Sequence, residues 1–295
     1  HIHHLAIDWP SSTESSNNLF SNFILYKLGK YCSRGTELNL PKAADNRTTN
    51  SEGNITGMTL SEAHCVLNRP WCNFGSNYQG ENTELHMRMN WQLWNYYHRC
   101  GHKTDFWQRL FKLMRENRTS SNNPGVKQLL FARMASEAAQ EDLTEFFEMW
   151  GFFVTVDTQI DQYGSYQYTV TKEMIENAKK AMAKYPKKAK PFYYLEDRKK
   201  GDIGLDTTPP DVGHYTQFQR IRPITKDIKG NINGREVSIT NGDEAVAFEL
   251  REKDANGKLL YFSTFIKFEV PLTVSLTYAK LYAVQADGKR ILLEE

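Results

Sequence analysis

The sequence lacks the features that would point to nucleic acid or to a membrane. Its 295 residues carry 37 Lys and Arg against 35 Asp and Glu, a formal net charge of +2. No broad basic or acidic surface is therefore expected for nucleic acid or for an anionic membrane. No apolar run approaches the roughly 20 residues that a transmembrane helix needs. No secretory signal sequence is visible either. We expect a soluble globular protein with no nucleic-acid partner and no transmembrane segment.

Cysteine is scarce and confined to the first third of the chain. The four cysteines are Cys32, Cys65, Cys72 and Cys100. Their spacings match neither a zinc ribbon nor a redox C-x-x-C motif. Buried thiols and one or two disulfide bonds both remain open.

Aromatic residues are abundant by contrast, at 13% of the chain, with 6 Trp, 15 Tyr and 16 Phe. Aromatic rings stack on sugar faces in glycan-handling proteins. A large aromatic core explains the same composition equally well.

Apolar spacing predicts an α+β, multi-domain protein. Helical periodicity recurs at 13–31, 59–68, 83–99, 104–116, 125–140, 142–152 and 173–185. Thr104, Asn123 and Asp142 are candidate caps for three of these helices. A mainly helical region is therefore expected over 1–210.

The C-terminal part follows a different period. After a Pro- and Gly-containing linker at 211–223, short β-prone runs alternate with turns such as Asn256-Gly257 and Asp287-Gly288. About seven short strands in this space favour a small C-terminal β-sandwich of the immunoglobulin type over 224–295. Glycan-binding and purely structural modules share that architecture, so the fold does not assign a role.

The most informative stretch is at the beginning of the sequence. His1, His3 and His4 precede Pro10 and a run of Ser and Thr that can cap a helix, which places Glu14 in its first turn. The helix dipole favours a carboxylate there. Asn18 lies one turn later on the same face. Read plainly, the histidines are a tag remnant or a disordered end, and Glu14 is a helix-stabilising acid.

Residues 1–23 resemble the second half of the zinc motif of the enhancin and mucinase family of gluzincin metallopeptidases, peptidase family M-sixty. That family's pattern is H-E-x-G-H, followed after roughly a dozen residues by a ligand glutamate on a helix. The resemblance implies that His1 and Glu14 are zinc ligands and that Asn18 orients a histidine ligand. The first histidine, the general-base glutamate and the glycine are not in the sequence.

The resemblance covers most of 1–210 and extends more weakly to the β module. It implies the helical C-terminal part of a zinc metallopeptidase catalytic domain. The expected substrate is a glycosylated, mucin-like protein or its O-glycans, and the expected location is secreted or on a bacterial cell surface. Without the general base, this chain itself is expected to be inactive.

The predicted helix at 83–99 supplies candidates for the substrate cleft: His86, Asn90, Trp91 and His98. The family carries substrate-facing aromatic residues in this stretch, although a place in the core is equally open for Trp91. The alternative to an enzyme is a non-catalytic carbohydrate- or protein-binding module whose binding end is the β-sandwich. Zinc content separates the two hypotheses.

Overall fold

A computed structural model describes residues 9–10, 12–28, 48–49, 55–56, 70–73, 86, 89–90, 92–99, 102–187, 224–245, 247–263, 266–285 and 289–293. The helices are α1 (Thr13–Lys27), α2 (Phe106–Glu116), α3 (Pro124–Ala139), α4 (Thr144–Met149) and α5 (Lys172–Met182). Trp71–Asn73 and Gly242–Glu244 are 3₁₀ turns, and Trp94–Arg99 is π-helical. The predicted α+β class is confirmed.

All strands in the described part of the chain pair in antiparallel sheets. They are β1 (Thr48–Thr49), β2 (Ile55–Thr56), β3 (Val156–Asp161), β4 (Ser165–Val170), β5 (Lys229–Asn233), β6 (Glu236–Thr240), β7 (Ala247–Glu252), β8 (Leu259–Ser263), β9 (Lys267–Glu269), β10 (Ala279–Val284) and β11 (Arg290–Leu292). Two of the sheets are two-stranded, β1–β2 and β3–β4. The C-terminal part holds a sheet of order β11-β10-β7-β8 and a sheet of order β5-β6-β9.

Local chemistry explains where α3 begins. Asn123 accepts a hydrogen bond from the Gly125 N–H at 2.8 Å, and Pro124 follows it at the first helical position. Asn123 is therefore the predicted cap. Thr104 is not, because α2 begins after Asp105 and no side chain caps it.

The β3–β4 hairpin interrupts the region predicted to be mainly helical. Its turn places Tyr163 and Gly164 at φ of 53° and 147°, and alternating β-prone residues on either side of that glycine are the signal that could have found it. Gly125 brings α3 onto this hairpin, since a Cβ there would lie 2.2 Å from the Thr169 carbonyl oxygen. The predicted linker at 211–223 lies outside the described residues, and the boundaries at 210 and 224 stay predictions.

The four-stranded sheet is covered on both faces. Along β7, Phe248 and Leu250 belong to a hydrophobic cluster shared with the three-stranded sheet. Ala247, on the opposite face, belongs to the core of the helical part. Because side chains alternate along a strand, residues 249 and 251 also face the helices.

Four charged side chains meet at this junction, three of them nearly buried and Glu145 partly exposed at 30%. Glu249 is 0% exposed and accepts from both Arg251 Nε and Arg290 Nε. Glu145, in the first turn of α4, accepts from Arg251 Nη2 at 3.1 Å and from Arg290 Nη2 at 2.9 Å. The cluster joins α4 to β7 and β11, so the β module is tied to the helices by paired charges.

Removing one member of this cluster should be costly. Glu249→Gln leaves two nearly buried arginines short of a counter-charge, and we expect the free energy of unfolding to fall by about 3–5 kcal/mol. The measurement is urea unfolding followed by tryptophan fluorescence. As the control, Lys112→Gln breaks the exposed Lys112–Glu116 pair at 3.9 Å and should cost less than about 1 kcal/mol. Equal effects of the two substitutions would contradict the buried-cluster account.

Stability should also fall at alkaline pH. Burial raises the pKa of the Cys72 thiol from its ordinary value of 9.0 to about 12, so the unfolded chain loses this proton first. The contribution is complete below about pH 9 and is lost as the pH rises toward 12, at up to about 1.4 kcal/mol per pH unit. Urea unfolding at several alkaline pH values measures the slope, which Cys72→Ala should reduce. An unchanged slope in that variant would contradict the assignment.

Candidate functional site

The start of α1 is seated in the aromatic core. Trp9 is buried, with its ring 5.3 Å from Phe131 and 6.5 Å, edge-on, from Phe152. The Ser12 N–H donates to the Trp9 carbonyl at 2.9 Å. The chain therefore enters α1 from a fixed point, and the position of the first turn is set by the core.

A row of buried hydroxyls defines the inner face of α1. Ser15 Oγ donates to the Ser12 carbonyl at 2.9 Å, and Ser16 Oγ donates to the Thr13 carbonyl at 2.8 Å. Ser12 Oγ lies 3.2 Å from Ser15 Oγ and donates in that pair, because the Ser15 proton is already used. These local bonds allow small polar residues to be buried where the helix meets the core.

Aromatic stacking fixes the rotation of α1 further along. Phe20 stacks on Phe111 of α2 with ring centroids 5.0 Å apart. Phe23 stacks on Trp94 at 4.1 Å and meets Trp107 edge-on at 5.5 Å. The helix is thus held along its inner face from its first turn to Phe23.

The Glu14 position lies on the other side of this helix. It is two residues from Ser12 and from Ser16, or roughly 200° around the axis. Asn18, half-buried, lies one turn after Glu14 on the same face. The sequence prediction that these two positions share a face is consistent with the observed helix. The Glu14 side chain and all of His1 lie outside what the structure describes, so their role as metal ligands stays a prediction.

The donor types of His1 and Glu14 suit zinc, which takes imidazole nitrogen and carboxylate oxygen. A catalytic zinc site has three protein ligands, however, and the resemblance supplies two. Among the described residues there is also no group of three His, Cys, Asp or Glu side chains that could hold a metal ion. The donor types therefore suit zinc, and the ligand set stays a prediction.

Two of the predicted cleft residues are buried in the described structure. The His86 ring stacks on Trp71 at 3.9 Å, and its Nε2 lies 3.2 Å from the Trp71 carbonyl oxygen. Since a carbonyl only accepts, Nε2 carries the proton. Asn90 Nδ2 donates to the His86 carbonyl at 3.3 Å. Both side chains pack beneath the surface, and their role in a cleft stays a prediction.

Of the other two cleft candidates, His98 lies within the described residues and Trp91 does not. His98 lies in the π-helical segment, half-buried, with its ring stacked on Trp94 at 4.0 Å and Nδ1 3.3 Å from the Thr104 carbonyl oxygen. π-Helical turns are frequent at functional sites. Trp91 lies outside the described residues, as do Cys32, Cys65 and Cys100.

Sequence reasoning missed two buried polar contacts that brace the same region. Tyr97 Oη donates to Glu141 at 3.1 Å, and burial, with the Glu141 charge adding to it, raises the pKa of Tyr97 well above its usual value. Trp150 Nε1 donates to Gln92 at 2.9 Å. Both join residues more than 40 positions apart in the sequence, and no local pattern marks such pairs.

No helix within the described ranges is both long and apolar enough to cross a membrane.

Two family models match this chain. Residues 1–151 match the model described as Peptidase M60, enhancin and enhancin-like. Residues 227–292 match the model described as Peptidase M60 C-terminal domain. Both the helical part and the C-terminal strands are therefore accounted for by one family.

Solved structures agree with the family models. A metallopeptidase from Bacteroides thetaiotaomicron is 54% identical with a TM-score of 0.79, and the match covers 98% of this chain and 46% of that one. A metallopeptidase in complex with Tn antigen is 56% identical with a TM-score of 0.78, covering 98% of this chain and 51% of that one. The chain thus spans about half the length of these two relatives.

A more distant structure, the ZmpB metallopeptidase from Clostridium perfringens, shares the fold at 18% identity and a TM-score of 0.54, covering 96% of this chain and 45% of that one. A comparison with curated proteins gives no match. The family models and the two relatives above 50% identity establish that the chain belongs to the M60 family of enhancin-like peptidases.

Proposed function

We propose that this chain provides part of the active site of a zinc peptidase of the gluzincin type that cleaves glycosylated, mucin-like proteins. The observation that carries the proposal is the relative solved in complex with Tn antigen, which is 56% identical over 98% of the chain. Residues so similar over the whole length are expected to serve the same active site.

The N-terminal turn of α1 is central to this proposal. According to this proposal, His1 and Glu14 are two of the zinc ligands, and Asn18 orients a histidine ligand by a hydrogen bond. The seating of Trp9 in the core and the bonded serines of the inner face support the assignment, because they hold the Glu14 position without occupying its side of the helix. A rigid support of this kind is what a metal ligand needs.

The 295 residues alone should not carry out hydrolysis. Zinc, when bound, supplies polarisation of the scissile carbonyl and a bound water of lowered pKa. The sequence contains no H-E-x-x-H motif, so it offers neither the third ligand nor the general-base glutamate. Cleavage then requires a longer chain that carries the H-E-x-G segment ahead of His1.

We assign the two C-terminal sheets to an immunoglobulin-like β-sandwich, and the whole protein to the bacterial cell surface or the secreted fraction. The shared hydrophobic cluster of the two sheets supports the first assignment. The second follows from the substrate class, since mucin-like glycoproteins are extracellular. His86, Asn90, Trp91 and His98 remain the proposed residues near the cleft. A carbohydrate-binding role for the β module without catalysis is the alternative, and metal content distinguishes it.

The test compares the 295-residue chain with a longer chain that includes the family's H-E-x-G segment. Each is incubated with zinc and a peptide that carries N-acetylgalactosamine on serine or threonine, and new N-termini are sought by mass spectrometry. We expect cleavage by the longer chain only, abolished by a chelator and by Glu14→Gln. Glu173→Gln removes another first-turn acid, on α5, and should leave cleavage unchanged.

Two outcomes would contradict the proposal. Chelator-sensitive cleavage by the 295 residues alone would show that the site is complete without the upstream motif. Absence of both zinc and cleavage in the longer chain would favour the non-catalytic binding module.

Asn18 provides a separate test within the longer chain. If it orients a zinc-bound histidine, Asn18→Ala should weaken zinc binding about 10–100-fold. Competition with a zinc-binding dye measures the affinity, and circular dichroism checks that the fold is kept. Asn18→Asp, which keeps a hydrogen-bond acceptor, should recover part of the loss. Unchanged zinc affinity in Asn18→Ala would show that Asn18 does not orient a zinc ligand.

A further inference from the structure

A groove of about 510 Å³ on the helical part is lined by two arginines and by no acidic residue. Arg118 follows the end of α2, and Arg133 lies on α3. α5 closes the other side. Within the described residues, the lining therefore carries two positive charges and no negative one, although the whole chain is nearly neutral at +2.

Neither arginine takes part in a salt bridge or side-chain hydrogen bond within the described part of the chain. Arg109 lies 4.0 Å from Asp105, and Arg251 and Arg290 are paired with Glu145 and Glu249. Arg118 and Arg133 are exposed to solvent. A concave wall strengthens the field of charges at its rim. Arg118 and Arg133 together make this groove attractive to an anion.

The floor of the groove is apolar. It is formed by Leu129 of α3 and by Met174 and Ala178 of α5, and Leu129 and Ala178 are buried. Asn177 and Ser120 add an amide and a hydroxyl at the edge. An inorganic anion would leave this floor uncovered. A ligand with an acidic group, an apolar portion and a few polar groups would fill it.

We propose that this groove binds a carboxylate-bearing group, with the guanidinium groups of Arg118 and Arg133 on the carboxylate and the ligand's apolar portion on Leu129 and Met174. A guanidinium matches a carboxylate through two parallel hydrogen bonds. An acidic sugar and an acidic peptide side chain both supply this chemistry. The site needs neither zinc nor the general base, so it stands or falls apart from the proposed peptidase activity.

The experiment is an NMR-monitored titration of the 295-residue chain with three probes of similar size. N-acetylneuraminic acid and N-acetylglutamate carry a carboxylate, and N-acetylgalactosamine is the neutral control. We expect at least one acid to bind and the neutral sugar to bind at least tenfold more weakly. Arg118→Gln and Arg133→Gln should each weaken the acid about tenfold. Arg115→Gln, an exposed arginine of α2 that does not line the groove, should have no effect.

Each outcome of the titration supports or overturns the proposed carboxylate site. The more tightly bound acid identifies the sugar or the peptide as the source of the carboxylate. Binding of neither acid, equal binding of the neutral sugar, or equal loss in Arg115→Gln would overturn the proposal. Loss of acid binding in the longer chain that carries the H-E-x-G segment would also overturn it, because the protein itself would then fill the groove.

Discussion

The buried carboxylate of Glu249 is the constraint on which the arrangement of the two parts depends. A charge with no solvent exposure is stable in a folded protein only when counter-charges and hydrogen bonds surround it. Arg251 and Arg290 supply them, and both also reach Glu145 on α4. The partners come from three elements, so the charges are satisfied only when β7, β11 and α4 are all in place.

That requirement makes the four-stranded sheet an internal layer. One face packs on the three-stranded sheet through Phe248 and Leu250, and the other meets the helical core through Ala247, Phe262 and Val284. A peptidase needs its substrate-binding parts held in a fixed relation to its metal ligands. The C-terminal strands are joined to the same core that holds α1, which is a structural reason for the two parts to occur together.

The helix that carries the proposed metal ligand, α1, is also fixed in position by packing. Its inner face is fixed by Trp9, by bonded serines and by the stacking of Phe20 and Phe23 on rings from other elements. The Glu14 and Asn18 positions lie away from that face. The groove with Arg118 and Arg133 is formed by the segment after α2 and by α3 and α5, and the ligand proposed for it is an anion bound without a metal. The helical part thus offers two separate surfaces on one core.

Local pattern predicted much of the helical part. Helical spacing predicted α2, α3 and α5, and a side-chain acceptor followed by proline marked the start of α3 at Asn123. Period-two alternation predicted the C-terminal strands. Spacing also predicted that positions 14 and 18 lie on one helix, α1, whereas their roles at a metal site stay predictions. These features depend on neighbours along the chain, and the sequence by itself determined them.

Only the tertiary structure decided which polar residues are buried. In β7, Glu249 and Arg251 alternate with Phe248 and Leu250, a pattern that equally describes a strand with one face in water. The charged face is instead covered by helices. Glu145 lies 106 positions from its partner Arg251, and Arg290 lies 41 positions from its partner Glu249. His86 and Asn90 are both buried, and the His86 ring stacks on Trp71. Burial is a property of the assembled layers, so residues distant in the sequence determine it.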